Sequence, residues 1–175
     1  MTVPLIPPGS EVGFLGEAAI PADLYFVARQ PAPLIGMGFP ARVDWQLMWD
    51  IGVRHVVCLT HDDAAPYDSG QVQTHAIALQ DLYCEPVGPR NPATERTRVE
   101  RAGRIASDAI LAGEGVAVHC RGGRGRAGTV LGVTLTNLGH RPADVVSYLD
   151  RLHRARGKDG WPECPWQSAT ILQQQ

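Results

Sequence analysis

Between residues 119 and 126 the chain reads His119-Cys120-Arg121-Gly122-Gly123-Arg124-Gly125-Arg126, a nucleophile followed by six residues that all keep a backbone N–H. Its three glycines permit the φ values that turn successive amides around one anion. A helix resuming at about Ala127 would add the positive end of its dipole at the same point, and Arg126 can offer two parallel N–H bonds to two oxygens. Amides, dipole and arginines all favour the thiolate, the form in which Cys attacks. Cys120 is therefore read as a nucleophile in a tetrahedral-anion cradle formed by Arg121, Gly122, Gly123, Arg124, Gly125 and Arg126, with His119 in support. The plainer reading, a small buried Cys before a tight turn, is outweighed because strand, donors, arginine and helix agree.

Spacing alone does not decide this. Cys84-Glu85-Pro86-Val87-Gly88-Pro89-Arg90 has the same Cys-to-Arg interval. Its two prolines lack N–H donors and Glu85 adds a negative charge, so that segment is not expected to wrap an oxyanion.

The elements needed to position Cys120 are legible around it. Val116-Ala117-Val118 is a short strand running into His119-Cys120, and the helix after the loop is expected to reach Leu138, with Gly139 as its stop. Val53 to Leu59 is β-branched and apolar enough for a buried central strand, and Thr74 to Leu79 for a second that leaves Asp81 just past its end. Leu24 to Ala28 and Leu34 to Met37 suit edge or hairpin strands. Asp44 can cap a short helix from Trp45 to Ile51, closed by Gly52. Asn91-Pro92 opens a helix that buries Val99, Ala102, Ala106, Ala109 and Ile110 and stops near Gly113. Pro142 opens another, with Val145, Leu149 and Leu152 on one side and a basic last turn of His153, Arg154 and Arg156. Trp161, Pro162, Pro165 and Trp166 are read as packing the C-terminal segment onto the domain. Strands alternating with helices predict an α/β domain.

Of the 175 residues, 44% are apolar, which suits one well-buried core and not two domains. Residues 1–21, rich in Pro and Gly, are read as an N-terminal arm, laid over the domain or flexible; residues 22–175 are read as a single domain. A formal charge of −2 argues against a general nucleic-acid binder. The N-terminus lacks a basic start and no segment is apolar enough to span a bilayer, so the expected location is cytoplasmic and the chain a monomer. Cys58, Cys84, Cys120 and Cys164 form no metal or redox pair, and His55, His61 and His75 no metal spacing; no metal or cofactor is expected.

The run His119 to Gly128 resembles the signature of protein tyrosine and dual-specificity phosphatases, H-C-x-x-G-x-x-R followed by Ser or Thr. Leu34 to Pro40, Gly52 to Thr60 and Ala78-Leu79-Gln80-Asp81 are similar, in order, to landmarks of the compact branch that holds kinase-associated and Cdc14-like phosphatases. Arg156 and Gln167 resemble that branch's closing R…Q pattern. The likeness covers about residues 22 to 172. It implies a central, mostly parallel sheet flanked by helices, a phosphocysteine intermediate and no metal. By that likeness Cys120 attacks phosphorus, Arg126 holds the transition-state oxygens and Asp81 protonates the leaving oxygen, with Glu85 and Glu95 as rivals because the Asp81 spacing is long. Asp81 as a turn or cap residue is the competing reading.

One departure stands out: Ala127 occupies the position where the family has a hydroxyl that assists breakdown of the phosphocysteine. Thr129, one turn on, is the expected substitute, and slow hydrolysis of the intermediate follows if it fails. Arg121 and Arg124 resemble the basic pair of phosphoinositide phosphatases, which sets a phosphoinositide or inositol phosphate beside a phosphoprotein as substrate; Arg121 pointing to solvent is the bland alternative. Phosphate, vanadate and sulfate are expected active-site anions. Cys58 and Cys84 are read first as plain buried cysteines, then as partners for a reversible disulfide with Cys120. A rhodanese-like sulfurtransferase and a silent phosphate-binding module remain as other classes, disfavoured by the glycine–arginine pattern and the intact nucleophile.

Overall fold

Five short strands, β1 (Tyr25–Ala28), β2 (Leu34–Met37), β3 (Val53–Cys58), β4 (Gln73–Ala76) and β5 (Gly115–His119), form one sheet in the order β1-β2-β5-β3-β4. The β1–β2 pair is antiparallel and every other pair is parallel, as the alternation of strand and helix predicts. This computed structural model describes residues 2–10 and 23–174.

Side chains on these strands alternate between two cores. Val116 and Val118 of β5 face one, Ala117 the other; Tyr25 and Val27 of β1 face the first, Phe26 the second. The first core is roofed by α2 (Pro92–Leu111), α3 (Gly125–Asn137), α4 (Pro142–Ala155) and α5 (Pro165–Leu172), the second by the short α1 (Trp45–Asp50) through Met48. Covering both faces is what makes β2 and β5 buried at every position.

Helix ends follow local chemistry. Asp44 accepts the Leu47 N–H at 3.0 Å and Asn91 the Thr94 N–H at 3.2 Å, with Pro92 in the first turn where a missing N–H costs nothing. α3 starts at Gly125, two residues earlier than the sequence suggests, because the Arg124 carbonyl already accepts the Gly128 N–H at 2.7 Å. That places Arg126 in the first helical turn. α5 went unanticipated in the Trp and Pro cluster; Pro165 opens it and Gln167 accepts the Cys164 N–H at 3.2 Å. β4 is shorter than expected, yet the Ile77 and Leu79 amides still donate to Cys58 and Leu59 at 2.9 and 3.1 Å, so the chain follows the end of β3 as far as Leu79, two residues before Asp81.

Part of the N-terminal arm lies on the domain. The Ile6 N–H donates to the Val27 carbonyl at 2.9 Å, Leu5 bridges to Ala28, and the Tyr148 hydroxyl reaches the Ile6 carbonyl at 2.9 Å, which covers the free edge of β1. Residues 11–22, the remainder of that arm and its boundary, lie outside the described residues.

One expectation at the end of α4 is corrected. His153 is not part of a charged, basic last turn: it is buried, and burial first, then the Arg156 and Arg124 charges, push it down to about 3. Arg156 Nη1 donates to His153 Nδ1 at 2.9 Å, so the neutral ring carries its proton on Nε2. His119, also buried, is pushed down to about 4 by desolvation.

Both imidazoles are neutral when folded and take a proton more readily when unfolded, near their ordinary value of 6.5. Their contribution to stability is complete above that pH and is lost as pH falls towards the folded values. The thermal midpoint should therefore drop steadily on acidification from about pH 7 to about pH 4, and imidazole carbon shifts should show both rings neutral at about pH 5. Ordinary titration of His153 in the folded protein would contradict its burial.

Candidate active site

In a parallel sheet the loops leaving the C-terminal strand ends meet on one edge. β5 stops at His119 and α3 starts at Gly125, so Cys120 to Arg124 make the turn between them. Together with Asp81, Tyr83 and Glu163, the residues Cys120, Arg121, Gly122, Arg124, Gly125 and Arg126 line a cleft of about 340 Å³. Gly123, also read as part of the cradle, shapes the turn from behind. Its φ is +66°, and a Cβ there would run into the backbone of Met37 and Gly38.

The loop carbonyls are held from outside. Leu59 N–H donates to the His119 carbonyl at 3.0 Å, Phe39 N–H to Arg121 at 3.0 Å, the Tyr25 hydroxyl to Gly123 at 2.8 Å and the Thr129 hydroxyl to Gly125 at 2.8 Å. Across a planar trans peptide the N–H points opposite to the C=O. Tethering these carbonyls outward therefore turns the amides of Gly122, Arg124 and Arg126 towards the cleft that the same residues line. Three donors and a helix start converge beside Cys120.

His119 steadies the start of the loop. Its Nδ1 donates to the Cys120 carbonyl at 3.3 Å, which leaves Nε2 to accept from the Tyr67 hydroxyl at 2.6 Å. Burial pushes the Tyr67 phenol up, so it stays a donor. Arg126 is fixed at its other side. Its Nη1 lies 3.5 Å and 3.4 Å from the carbonyls of Leu59 and Leu79, at the ends of the β3 and β4 runs, and Nη2 donates to Asp81 Oδ2 at 2.9 Å.

The three acids considered from the sequence separate cleanly. Asp81 lines the cleft with its side chain 52% exposed, and its Oδ1 also accepts the Tyr83 N–H at 3.2 Å, so it forms a turn as well as facing Arg126. Glu95 accepts the Gln80 N–H at 2.6 Å and braces the segment leading to Asp81; burial pushes its carboxyl up while that N–H pulls it back. Glu85 is exposed and stands apart from the cleft.

Three further readings change. Thr129 does not offer a free hydroxyl, since its proton goes to the Gly125 carbonyl, and Ala127 is fully buried. Arg124 is not a free cation: Nε lies 3.5 Å from Glu163 Oε1 and Nη1 3.8 Å from Asp159. Cys84 is exposed, not buried, while Cys58 is buried with Sγ 3.4 Å from the Thr60 hydroxyl; all four cysteines are free thiols and neither of these lines the cleft. Gln167 sits beneath the cleft, accepting the Glu163 N–H at 2.9 Å as well as that of Cys164.

Besides Tyr83 at the rim, the cleft residue that sequence reasoning missed is Glu163. Its side chain is 14% exposed; burial pushes the carboxyl up, Arg124 pulls it back and Asp81 pushes it further up. The available signal was a carboxylate four residues before Gln167 within the Trp and Pro cluster.

Comparison with known proteins gives the family and the fold. Residues 26–159 match the family model described as Swiss Army Knife protein, DSP-PTPase phosphatase domain (PTP-SAK). A mouse protein assigned as a dual specificity phosphatase and solved with zinc tungstate shares 20% identity over 91% of this chain and 89% of that one, with a TM-score of 0.63. TpbA of P. aeruginosa shares 18% over 88% and 86%, with a TM-score of 0.61. Human DUSP28 shares 19% over 79% and 84%, with a TM-score of 0.57. At these identities the likeness is one of fold.

Gln167→Ala would leave the part-buried Glu163 amide and the buried Cys164 amide without their acceptor. Urea unfolding should register a loss of roughly 2–4 kcal/mol; a change below about 0.5 kcal/mol would mean that this side chain does not hold the turn.

Proposed function

This chain belongs to the DSP-PTPase phosphatase domain family and is a phosphatase; on that footing we propose that it hydrolyses phosphomonoesters on proteins through a phosphocysteine at Cys120. The observation that carries the reading is the convergence of Cys120, Arg126 and Asp81 in one cleft floored by the loop amides. In the first step Cys120 Sγ bonds to phosphorus while the P–O bond to the substrate breaks. The amides and the Arg126 guanidinium hold the three remaining oxygens, and the Asp81 carboxyl gives its proton to the leaving oxygen. The incoming phosphate takes over donors that Arg126 otherwise gives to Asp81; the carboxylate so released takes up a proton from solvent and stands beside the departing group as the acid.

In the second step water attacks phosphorus, the S–P bond breaks to regenerate the thiolate, and Asp81, now a carboxylate, accepts the water proton. With no hydroxyl at Ala127 and that of Thr129 engaged, Glu163 is the remaining side chain in the cleft suited to orient the water. This makes the second step the slower one.

A phosphoprotein substrate is better supported than a phosphoinositide. The polyanion reading needs both Arg121 and Arg124, and Arg124 is matched by Glu163 and Asp159. Tyr83, 67% exposed at the rim, offers an aromatic face to a phosphotyrosine ring. No described helix is long and apolar enough to cross a membrane; four free thiols, one of them the nucleophile, suit a reducing cytoplasm.

Hydrolysis of an aryl phosphate should be abolished by Cys120→Ser, lowered roughly 100-fold by Asp81→Asn, and inhibited by vanadate in the wild type. Full activity in Cys120→Ser would end the mechanism. Rapid-mixing kinetics should show a burst of aryl alcohol, made more pronounced by Glu163→Gln through slower steady-state turnover. Linear release from the first turnover in both proteins would remove the slow second step.

A further inference from the structure

Tyr25 stands outside the cleft yet reaches its loop. Its hydroxyl donates to the Gly123 carbonyl at 2.8 Å, joining β1 to a residue 98 positions further along the chain. We infer that Tyr25 is a positioning residue for phosphoryl transfer: by fixing the Gly123 carbonyl it aims the Arg124 amide at the phosphate. The inference rests on the reading of the Cys120 loop as a phosphate cradle.

The peptide between Gly123 and Arg124 needs such a hold. Gly123 lies in the left-handed region at φ +66° and follows a second glycine, so side-chain sterics oppose rotation of this peptide less than at other loop positions. Rotation would swap the carbonyl for the N–H and present a negative oxygen to an anion. A donor behind the loop selects one orientation, and planarity does the rest.

The neighbours of Tyr25 keep it a donor and keep it in place. Burial raises its phenol above the ordinary tyrosine range, so the proton stays on the oxygen. A Cβ on Gly36 would fall inside the ring, so the bare backbone of β2 is what lets the side chain cross towards the loop. The Arg156 guanidinium lies 3.7 Å from the ring centroid. Arg156 is itself held by His153 Nδ1 at 2.9 Å and by the Asp23 carbonyl at 3.3 Å. His153 meets the same ring edge-on at 5.5 Å.

Tyr25→Phe removes one oxygen and leaves the ring. Tyr148→Phe is the control: its hydroxyl bonds the carbonyls of Ile6 in the arm and Val27 in β1, at 2.9 and 3.4 Å. Aryl phosphate kinetics, vanadate inhibition and the vanadate-induced shift of the Arg124 amide nitrogen are measured in wild type and both variants. Tyr25→Phe should lower kcat/KM about tenfold, raise the vanadate inhibition constant about tenfold and shrink the Arg124 shift, whereas Tyr148→Phe should leave all three at wild-type values. Wild-type vanadate inhibition and Arg124 shift in Tyr25→Phe would overturn the inference, whatever happens to thermal stability. So would equal losses in both variants, which would make the effect one of general packing. A wild type that neither hydrolyses aryl phosphate nor binds vanadate would overturn the reading of the site and this inference with it.

Discussion

The planarity of the peptide unit is the constraint on which this architecture turns. A loop cannot aim an amide at an anion without sending the preceding carbonyl the other way, and that carbonyl needs a partner. Here the partners come from Phe39, Tyr25, Leu59 and Thr129, contributed by four different parts of the chain. The sheet order explains how they reach. β5 lies between β2 and β3, so the chain leaving each neighbour passes the loop on one side, and α3 closes it from below.

Charge in the cleft is arranged with similar economy. Arg126 sits between the carbonyls at the ends of two strand runs, so its position is set by the sheet and not by a mobile loop. Arg124 lines the cleft while its side chain meets Glu163 and Asp159. Glu163 in turn depends on Gln167, which takes the two amides on either side of the bend before α5. The C-terminal helix is thereby tied to the cleft at the C-terminal end of β5.

Most of this scaffold is written locally. β-branched runs, caps at Asp44 and Asn91, and the glycine-rich turn after Cys120 act over a few residues, so pattern and propensity expose them. Asp81 was legible for the same reason, as a carboxylate just past a strand. The contacts that stayed hidden are those made over long sequence distances: Tyr25 with Gly123, Tyr67 with His119, Glu163 with Arg124. No window of sequence joins such pairs, and tyrosine on a strand reads first as core. His153 was misread for a related reason. Its place in a last helical turn suggests a cation, but the tertiary packing that buries it overrides the dipole. Thr129 misled in the opposite direction, because a hydroxyl one turn into a helix has a carbonyl within reach four residues back.

On the phosphatase mechanism proposed above, the ion pair between Arg126 and Asp81 would let the cleft discriminate among anions by valence. Because the guanidinium is already neutralised at 2.9 Å, an arriving ion exchanges with a carboxylate and does not simply meet a bare positive charge. Chloride and other singly charged species gain little from that trade. A doubly charged phosphate gains more, since it engages the guanidinium and several amides at once. In a salty milieu such a cleft would stay largely unoccupied by background electrolyte, and its occupancy would follow the phosphorylation state of its surroundings.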